Sequence, residues 1–249
     1  MGEIVAQHLR SKILDGTLAD GDLLPTQDEL LEEFGVSRAS VREALRTLES
    51  EGLVRVRRGK IGGATVHAPK AENAAYMLAL VLESRHVTID DVGRARNLIE
   101  PICASLCADR PDRHDTVVPA LKAVHDEATV HIEDEVRFAS LSSRFHELLI
   151  EHCGNGTLIA IVGALEALWA SDERAFAAGA RSSGEFPNLA YRRRRVADHE
   201  KIIDLIDAGN AAAVGRAAAK HASGGVLYKD AWAVGRTVSA SAIRQPGLG

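Results

Sequence analysis

One stretch, LPTQDELLEEFGVSRASVREALRTLESEGLVRVRRGKIGGATV from Leu24 to Val66, constrains the fold of this chain more than any other. Leu30, Leu31 and Phe34 recur at the spacing of one helix face, and Gly35 follows where a helix can end in left-handed backbone. Ser37 stands at the N-cap position of a second helix with Ser40 three residues on, so its capping box is incomplete. Val41, Leu45 and Leu48 anchor that second helix on its inner side, which turns Arg38, Ser40, Arg42 and Arg46 toward its polar side. Leu53 to Val56 reads as a strand, Arg57 to Lys60 as a tip, and Ala64 to Val66 as the return strand. Two short helices across a tight turn, then a two-stranded wing, predict a winged helix-turn-helix over residues 1–66. An earlier helix, marked by Ile4, Val5, Leu9, Ile13 and Leu14, ends near Asp15 and Gly16.

Charge placement gives this module a direction. From Val36 to Lys60 there are seven basic residues against three acidic ones, whereas Asp15 to Glu33 holds seven acidic residues and no basic one. A helix whose N-terminal end and arginines face outward suits a DNA major groove. The expected contacts are Arg38, Ser40, Arg42 and Arg46 on the helix, with Arg57, Arg58, Lys60 and Gly62 on the wing. Glycines at the tip let the backbone approach a phosphate, although a solvated hairpin explains them equally well on their own. A winged helix used for protein contacts alone is the other reading. The net charge of −5 excludes a nonspecific nucleic-acid coat and leaves a binder with local basic patches.

The 249 residues are enough for two modest domains. HAPKAEN, residues 67–73, is the expected linker, and residues 74–228 read as an all-α antiparallel bundle. Its helices are expected over Ala74–Glu83, Ile89–Ala108, Val117–Ala128, Ile132–His152, Thr157–Ala178, Ala190–Ala208 and Ala211–Gly224. The weakly patterned remainder, 229–249, is expected to be a tail that is disordered at its last residues and in which Trp232 can dock onto the bundle. Cys103, Cys107 and Cys153 match no zinc-ribbon or CxxC spacing and read as buried free thiols. No apolar run approaches about 18 residues and no signal-peptide pattern precedes the first helix, so a cytoplasmic chain with no membrane partner is expected.

Three histidines stand out from the other seven because they fall on three long helices with the same inward phase. His146 lies beside Phe145, Leu148 and Leu149; His199 opens HEKIIDLI; His221 ends AAAVGRAAAKH. The break at Gly209-Asn210 makes the last two helices antiparallel neighbours, which brings His199 and His221 to one end of the bundle. Imidazoles converging from separate helices can hold a divalent transition metal. Polar pocket groups without metal, or satisfied core histidines, are the alternatives. Arg96 and Glu100 lie one turn apart, the spacing of an intrahelical ion pair. The Arg192–Arg195 run covers all sides of its helix and reads as structural. No HExxH, nucleotide loop or nucleophile elbow is present, and Glu147 points about a quarter-turn away from His146, so no enzyme is expected; a metal-dependent hydrolase is the remote alternative.

GVSRxxVREAL and the LESEGL turn closely resemble the winged helix-turn-helix of the GntR family of bacterial transcriptional regulators. That pattern carries a glutamate where this chain has Gln27 and a basic residue near Asp28, so one backbone contact is expected to be missing. RNLIEPICASLCA, FHELLIEHCGN and DHEKIIDLIDAGNAAAVGRAAAKH are similar to the FCD ligand-binding domain of that family's FadR-like branch. The resemblance implies a homodimer that reads an inverted repeat in double-stranded operator DNA, and a repressor relieved by a small organic acid. It further implies an effector and metal site formed by Arg96, His146, His199 and His221, with Ser142 where the branch often has an aspartate ligand. Three neutral imidazoles without that carboxylate favour zinc, or nickel, over calcium and magnesium. A regulator that answers to the metal alone is the alternative.

Overall fold

The computed structural model describes residues 1–57, 63–69, 71–183, 187–233 and 235–243. The chain forms two compact units, Met1–Asn73 and Ala74–Gly249.

The first unit contains α1 (Gly2–Leu14), α2 (Gln27–Phe34), α3 (Arg38–Ser50), β1 (Val54–Arg57) and β2 (Gly63–Val66). Gly35 ends α2 at φ 60°, and its N–H donates to the Leu31 carbonyl at 3.0 Å. This left-handed turn is open to glycine without steric cost and sets the angle between α2 and α3. Ser37 caps α3 by accepting from the Ser40 N–H at 3.2 Å. α2 carries a stronger cap that the sequence reading passed over. Glu29 N–H donates to Thr26 Oγ1, and Thr26 N–H donates back to Glu29 Oε2 at 2.7 Å. Val5, Leu9, Leu30, Val41, Leu45, Leu48, Val54 and Val66 close one core. Burial of each leucine in it contributes roughly 1.5–3 kcal/mol.

β1 and β2 run antiparallel with Val54 opposite Val66 and Arg57 opposite Gly63. Leu23 bridges Thr65, and Leu24 N–H donates to the Ala64 carbonyl at 2.8 Å. The segment before α2 therefore lies alongside β2, an arrangement the wing pattern alone did not announce.

The second unit contains α4 (Ala71–Ser84), α5 (Ile89–Asp109), α6 (Val117–Val130), α7 (Glu135–Glu151), α8 (Gly156–Ser183), α9 (Leu189–Asp207) and α10 (Ala211–Ala233). The last three residues of the expected linker, 71–73, are already helical. α7 starts three residues later than its apolar pattern suggests, because Asp134 caps it by accepting from the Arg137 N–H. α10 continues through Gly224 and Gly225 to Ala233, so that glycine pair is not the stop it resembles. Its overrun takes in the first residues of the expected tail.

Two apolar clusters support this unit. The larger joins Cys103 and Cys107 of α5, Leu121 of α6, Phe145 and Leu149 of α7, Ile202 and Ile206 of α9 and Val214 of α10. All three cysteines are buried and free. The smaller joins Ala75 and Ala79 of α4, Val92 of α5, Leu168 and Trp169 of α8, and Val238 and Ala240 from beyond α10. Residues 235–243 are thus ordered as a strap, a stretch whose place the sequence pattern left open. Ile89 N–H donates to the Arg236 carbonyl and Val238 N–H to the Val87 carbonyl, each at 2.9 Å; Ala240 N–H donates to Glu83 Oε2 at 2.8 Å. The side chain of Trp232 and residues 244–249 lie outside the described residues.

Gly93 makes α5 and α8 meet closely, since a Cβ there would enter the Trp169 ring. Gly93→Val is expected to destabilise the helical unit by about 1–3 kcal/mol through overpacking. Urea denaturation is the measurement, and an unchanged midpoint would show that Trp169 swings aside at no cost.

Candidate functional site

The apolar stripe of α3 buries Val41, Ala44, Leu45 and Leu48, and this fixes what the opposite side presents. Arg38, Arg42 and Arg46 are exposed, and Arg42 and Arg46 line a shallow cleft with Ala39, Glu43, Thr47 and Ser50. Ser40 is half-buried, with its hydroxyl 3.1 Å from that of Ser37. Its first role is therefore in the turn. Asp28, where the resembled pattern has a basic residue nearby, accepts from Arg38 Nη2 at 2.8 Å across the exposed face. Arg57 closes β1 with its side chain outside the described set, and Arg58, Lys60 and Gly62 also lie outside it.

In the helical unit the stripes that build the core also deliver three imidazoles to one point. On α9 His199 shares its face with Ile202, Ile203 and Ile206. On α10 His221 lies two turns beyond Val214, and on α7 His146 lies between Phe145 and Leu149. All three are buried, and one ring nitrogen from each falls within 4.8 Å of the others. His199 Nε2 is 3.0 Å from His221 Nε2, and the His199 ring stacks on Phe145 at 3.9 Å and 8°. The remaining histidines are exposed or half-buried.

A row of charges runs through the protein interior to this point. His146 Nδ1 lies 2.6 Å from Glu100 Oε1, and Glu100 Oε2 lies 2.7 Å from Arg96 Nη2. Arg96 Nε donates to Glu166 of α8, whose second oxygen is buried without a hydrogen-bond partner. Trp169 lies 5.8 Å from the same guanidinium. Of the two sequence readings of Arg96, the ion pair with Glu100 is present, but it is interior, and Arg96 approaches the histidines through Glu100. Ser142 lies one turn before His146 and is half-buried.

The two carboxylates part in protonation. Burial pushes Glu100 upward, but Arg96 and His146 outweigh it and hold it at about 2. Burial raises Glu166, and Arg96 only partly offsets this. Burial likewise keeps His199 neutral, its value well below the usual 6.5, and lowers His221 to about 3. Asp198, on the outer side of the cluster, is held low by His221, whose Nδ1 lies 3.3 Å away.

These settings decide the tautomers. Ionised Glu100 offers only lone pairs, so His146 carries its proton on Nδ1; His221 does the same toward Asp198. The Nε2 lone pair of His221 then faces inward, and at 3.0 Å the Nε2 proton of His199 donates to it. Nitrogens sharing a zinc ion sit about 3.3 Å apart if bonds of about 2.05 Å meet tetrahedrally. The donor set fits a divalent transition metal once His199 moves that one proton. Glu166 and Asp198 escaped the sequence reading. The available signals were a lone acid inside the apolar run ALEALWA and an acid directly before His199. Glu147 and Glu151 pair with Arg144 near 2.9 Å, which occupies the acids a hydrolytic reading would need. Two arginines of the 192–195 run tie α9 to its neighbours: Arg192 donates to the Ile132 carbonyl in the turn between α6 and α7, and Arg195 to the His221 carbonyl of α10, each at 2.6 Å.

An arginine-bearing exposed helix in one unit, and a buried ligand-type centre in an all-helical second unit, define a DNA-binding regulator with a sensor domain. Residues 2–64 match the bacterial regulatory proteins of the gntR family, and residues 91–224 match the FCD domain. The chain belongs to the GntR family, in its FCD-containing branch, and its architecture is regulatory and not catalytic. It is 29% identical over 212 residues to the Uxu operon regulator of Haemophilus influenzae, covering 83% of this chain and 73% of that one. Identity is 28% over 177 residues to the galactonate operon transcriptional repressor of Escherichia coli, covering 66% and 76%. A solved structure, described as Streptococcus agalactiae GntR, shares the fold with a TM-score of 0.69 at 22% identity, covering 91% of this chain and 99% of that one. Among the described residues no helix is long and apolar enough to cross a membrane.

The buried imidazoles set an acid dependence. In the unfolded chain His199 and His221 take up protons near their ordinary value of 6.5, whereas in the fold they do not. The unfolded state therefore binds more protons as pH falls below about 6.5, and stability drops toward the value near 3 of His221. Glu166 acts in the opposite sense, one group against two. Metal-free protein is expected to lose about 1–3 kcal/mol between pH 7 and pH 5.5, read from urea midpoints. A flat profile would show that the histidines are not held neutral.

Proposed function

We propose that this chain is a homodimeric operator-binding repressor, released by a small organic acid that binds at a divalent transition metal held by His146, His199 and His221. The observation that carries the sensing half is the convergence of three buried imidazoles, each with one ring nitrogen within 4.8 Å of the others. A bound zinc or nickel ion would supply an open position for a carboxylate oxygen, completing a donor set in which Ser142 stands where an anionic ligand is common. Arg96 is already held by Glu100 and Glu166, which favours the metal over the guanidinium as the anchor for the acid. One relative is named for the galactonate operon, and galactonate is a polyhydroxy carboxylate, which supports the same ligand class. The same closure of Arg96 also favours a second reading, a regulator that answers to the metal alone.

DNA recognition is assigned to Arg38, Arg42 and Arg46, helped by the turn at Ser40 and by the wing with Arg57, Arg58, Lys60 and Gly62. One reading helix per chain spans too few bases alone, and a symmetric pair reads an inverted repeat. Met77, Leu80 and Val81 on α4, with Leu98 and Ile102 on α5, leave apolar surface that a second copy would cover.

Bound-sequence enrichment followed by fluorescence anisotropy is the test for the first half. Arg42→Ala is expected to weaken specific binding by about 1–3 kcal/mol with an unchanged melting temperature. Enrichment that returns no dyad, or a monomer at micromolar concentration, would sink the operator claim. For the second half, sugar acids, hydroxy acids and dicarboxylates are titrated into the protein–duplex complex with and without zinc. Metal and acid are each expected to tighten the other by the same factor, and the acid, not the metal alone, is expected to release the duplex. Release by zinc alone selects the metal-only regulator, and release by acyl thioesters alone overturns the small-acid reading.

A further inference from the structure

We propose that Glu100 is the positioning residue of the histidine centre. It accepts the His146 Nδ1 proton so that Nε2 faces His199 and His221, and it supplies from behind the negative charge that Ser142 does not supply in front. This inference rests on the reading of the cluster as a metal site.

Glu100 lies on α5, two helices before His146 on α7, and both are buried. Its two oxygens are divided: Oε1 lies in hydrogen-bond geometry 2.6 Å from His146 Nδ1, and Oε2 makes an ion pair with Arg96 Nη2 at 2.7 Å without hydrogen-bond geometry. That division is the essential feature. Only a carboxylate can face a cation with one oxygen and accept from Nδ1 with the other, and only an acceptor on Nδ1 leaves the Nε2 lone pair for a metal. The second carboxylate of the row, Glu166, approaches Arg96 on its Nε side, so Arg96 remains compensated whatever stands at position 100. Asp198 is the corresponding partner of His221, but it lies at 3.3 Å with its side chain 39% exposed, so water weakens its hold. Glu100 is the tighter and drier of the two.

The near-isosteric change Glu100→Gln gives a sharp outcome. A glutamine has one acceptor oxygen, and the charged Arg96 claims it. The amide N–H2 then faces His146 Nδ1, which must accept, and the ring proton moves to Nε2 and points into the site. Replacing Arg96 as well, in the double variant Arg96→Met/Glu100→Gln, frees the oxygen to accept from His146 again and removes a buried charge. Burial already raises Glu166, and the loss of Arg96 raises it further toward its neutral form there.

The experiment reads His146 by long-range nitrogen–proton NMR in metal-free protein, and zinc affinity by competition with a chromophoric chelator. The wild type is expected to show the Nδ1–H tautomer, Glu100→Gln the Nε2–H tautomer with zinc binding weakened roughly 10–100-fold, and the double variant a return of both. If wild-type protein binds zinc but Glu100→Gln keeps its tautomer and affinity, the positioning role is overturned and the metal reading stands. A wild-type protein that takes up no zinc overturns both. Should Glu100→Gln fail to fold, an Nε2–H tautomer in the wild type, or a double variant that binds zinc no better than a His146→Ala protein, overturns the inference.

Discussion

A guanidinium taken out of water at Arg96 is the constraint from which the helical unit is arranged. Removing such a charge from solvent costs several kcal/mol, recovered only with well-placed partners. Here two carboxylates close on it, Glu100 from its own helix and Glu166 from α8. One cation cannot keep two buried acids ionised. The pair divides, with Glu100 charged and Glu166 raised toward its neutral form. The charged member turns its free oxygen to His146, and this fixes the ring on which the other two histidines converge. Helices α5, α7, α8, α9 and α10 all contribute to one polar row inside an apolar bundle, so its geometry and the packing are a single problem.

Most of the first unit was legible because its signals are local. Gly35, Ser37 and the Val41–Leu45–Leu48 spacing each act within one turn of chain. The Thr26–Glu29 capping box was equally local and was passed over, its threonine hidden behind the proline at position 25. In the second unit the three histidines were legible because each shares the phase of an apolar stripe. What decides their chemistry was not legible. Glu166 meets Arg96 across 70 residues and His146 meets Glu100 across 46, separations over which no periodicity reports contact. α10 was cut short for a related reason. A glycine pair weakens a helix only by about 1 kcal/mol per residue, which its neighbours can outweigh.

The family's two halves divide their demands on side chains. The exposed side of α3 keeps its arginines in water, where they cost little to maintain. The sensing half places its charges where every partner matters, and small changes there alter protonation as well as contact. Asp28 shows the first regime: its exposed pair with Arg38 is worth little to stability, yet it sets where one arginine of the exposed face rests.

The strap of residues 235–243 bears on how the protein is made. Val238 and Ala240 belong to the same cluster as Ala75 and Ala79 of α4, so that cluster lacks part of itself until residue 240 has been synthesised. The winged unit draws its core from residues 5–66 alone. A ribosome adding about 5–20 residues per second takes roughly 10–35 s to pass from Val66 to Ile243. Throughout that interval the nascent chain carries a finished reading head and an unfinished sensor, and translation itself separates the birth of the two halves.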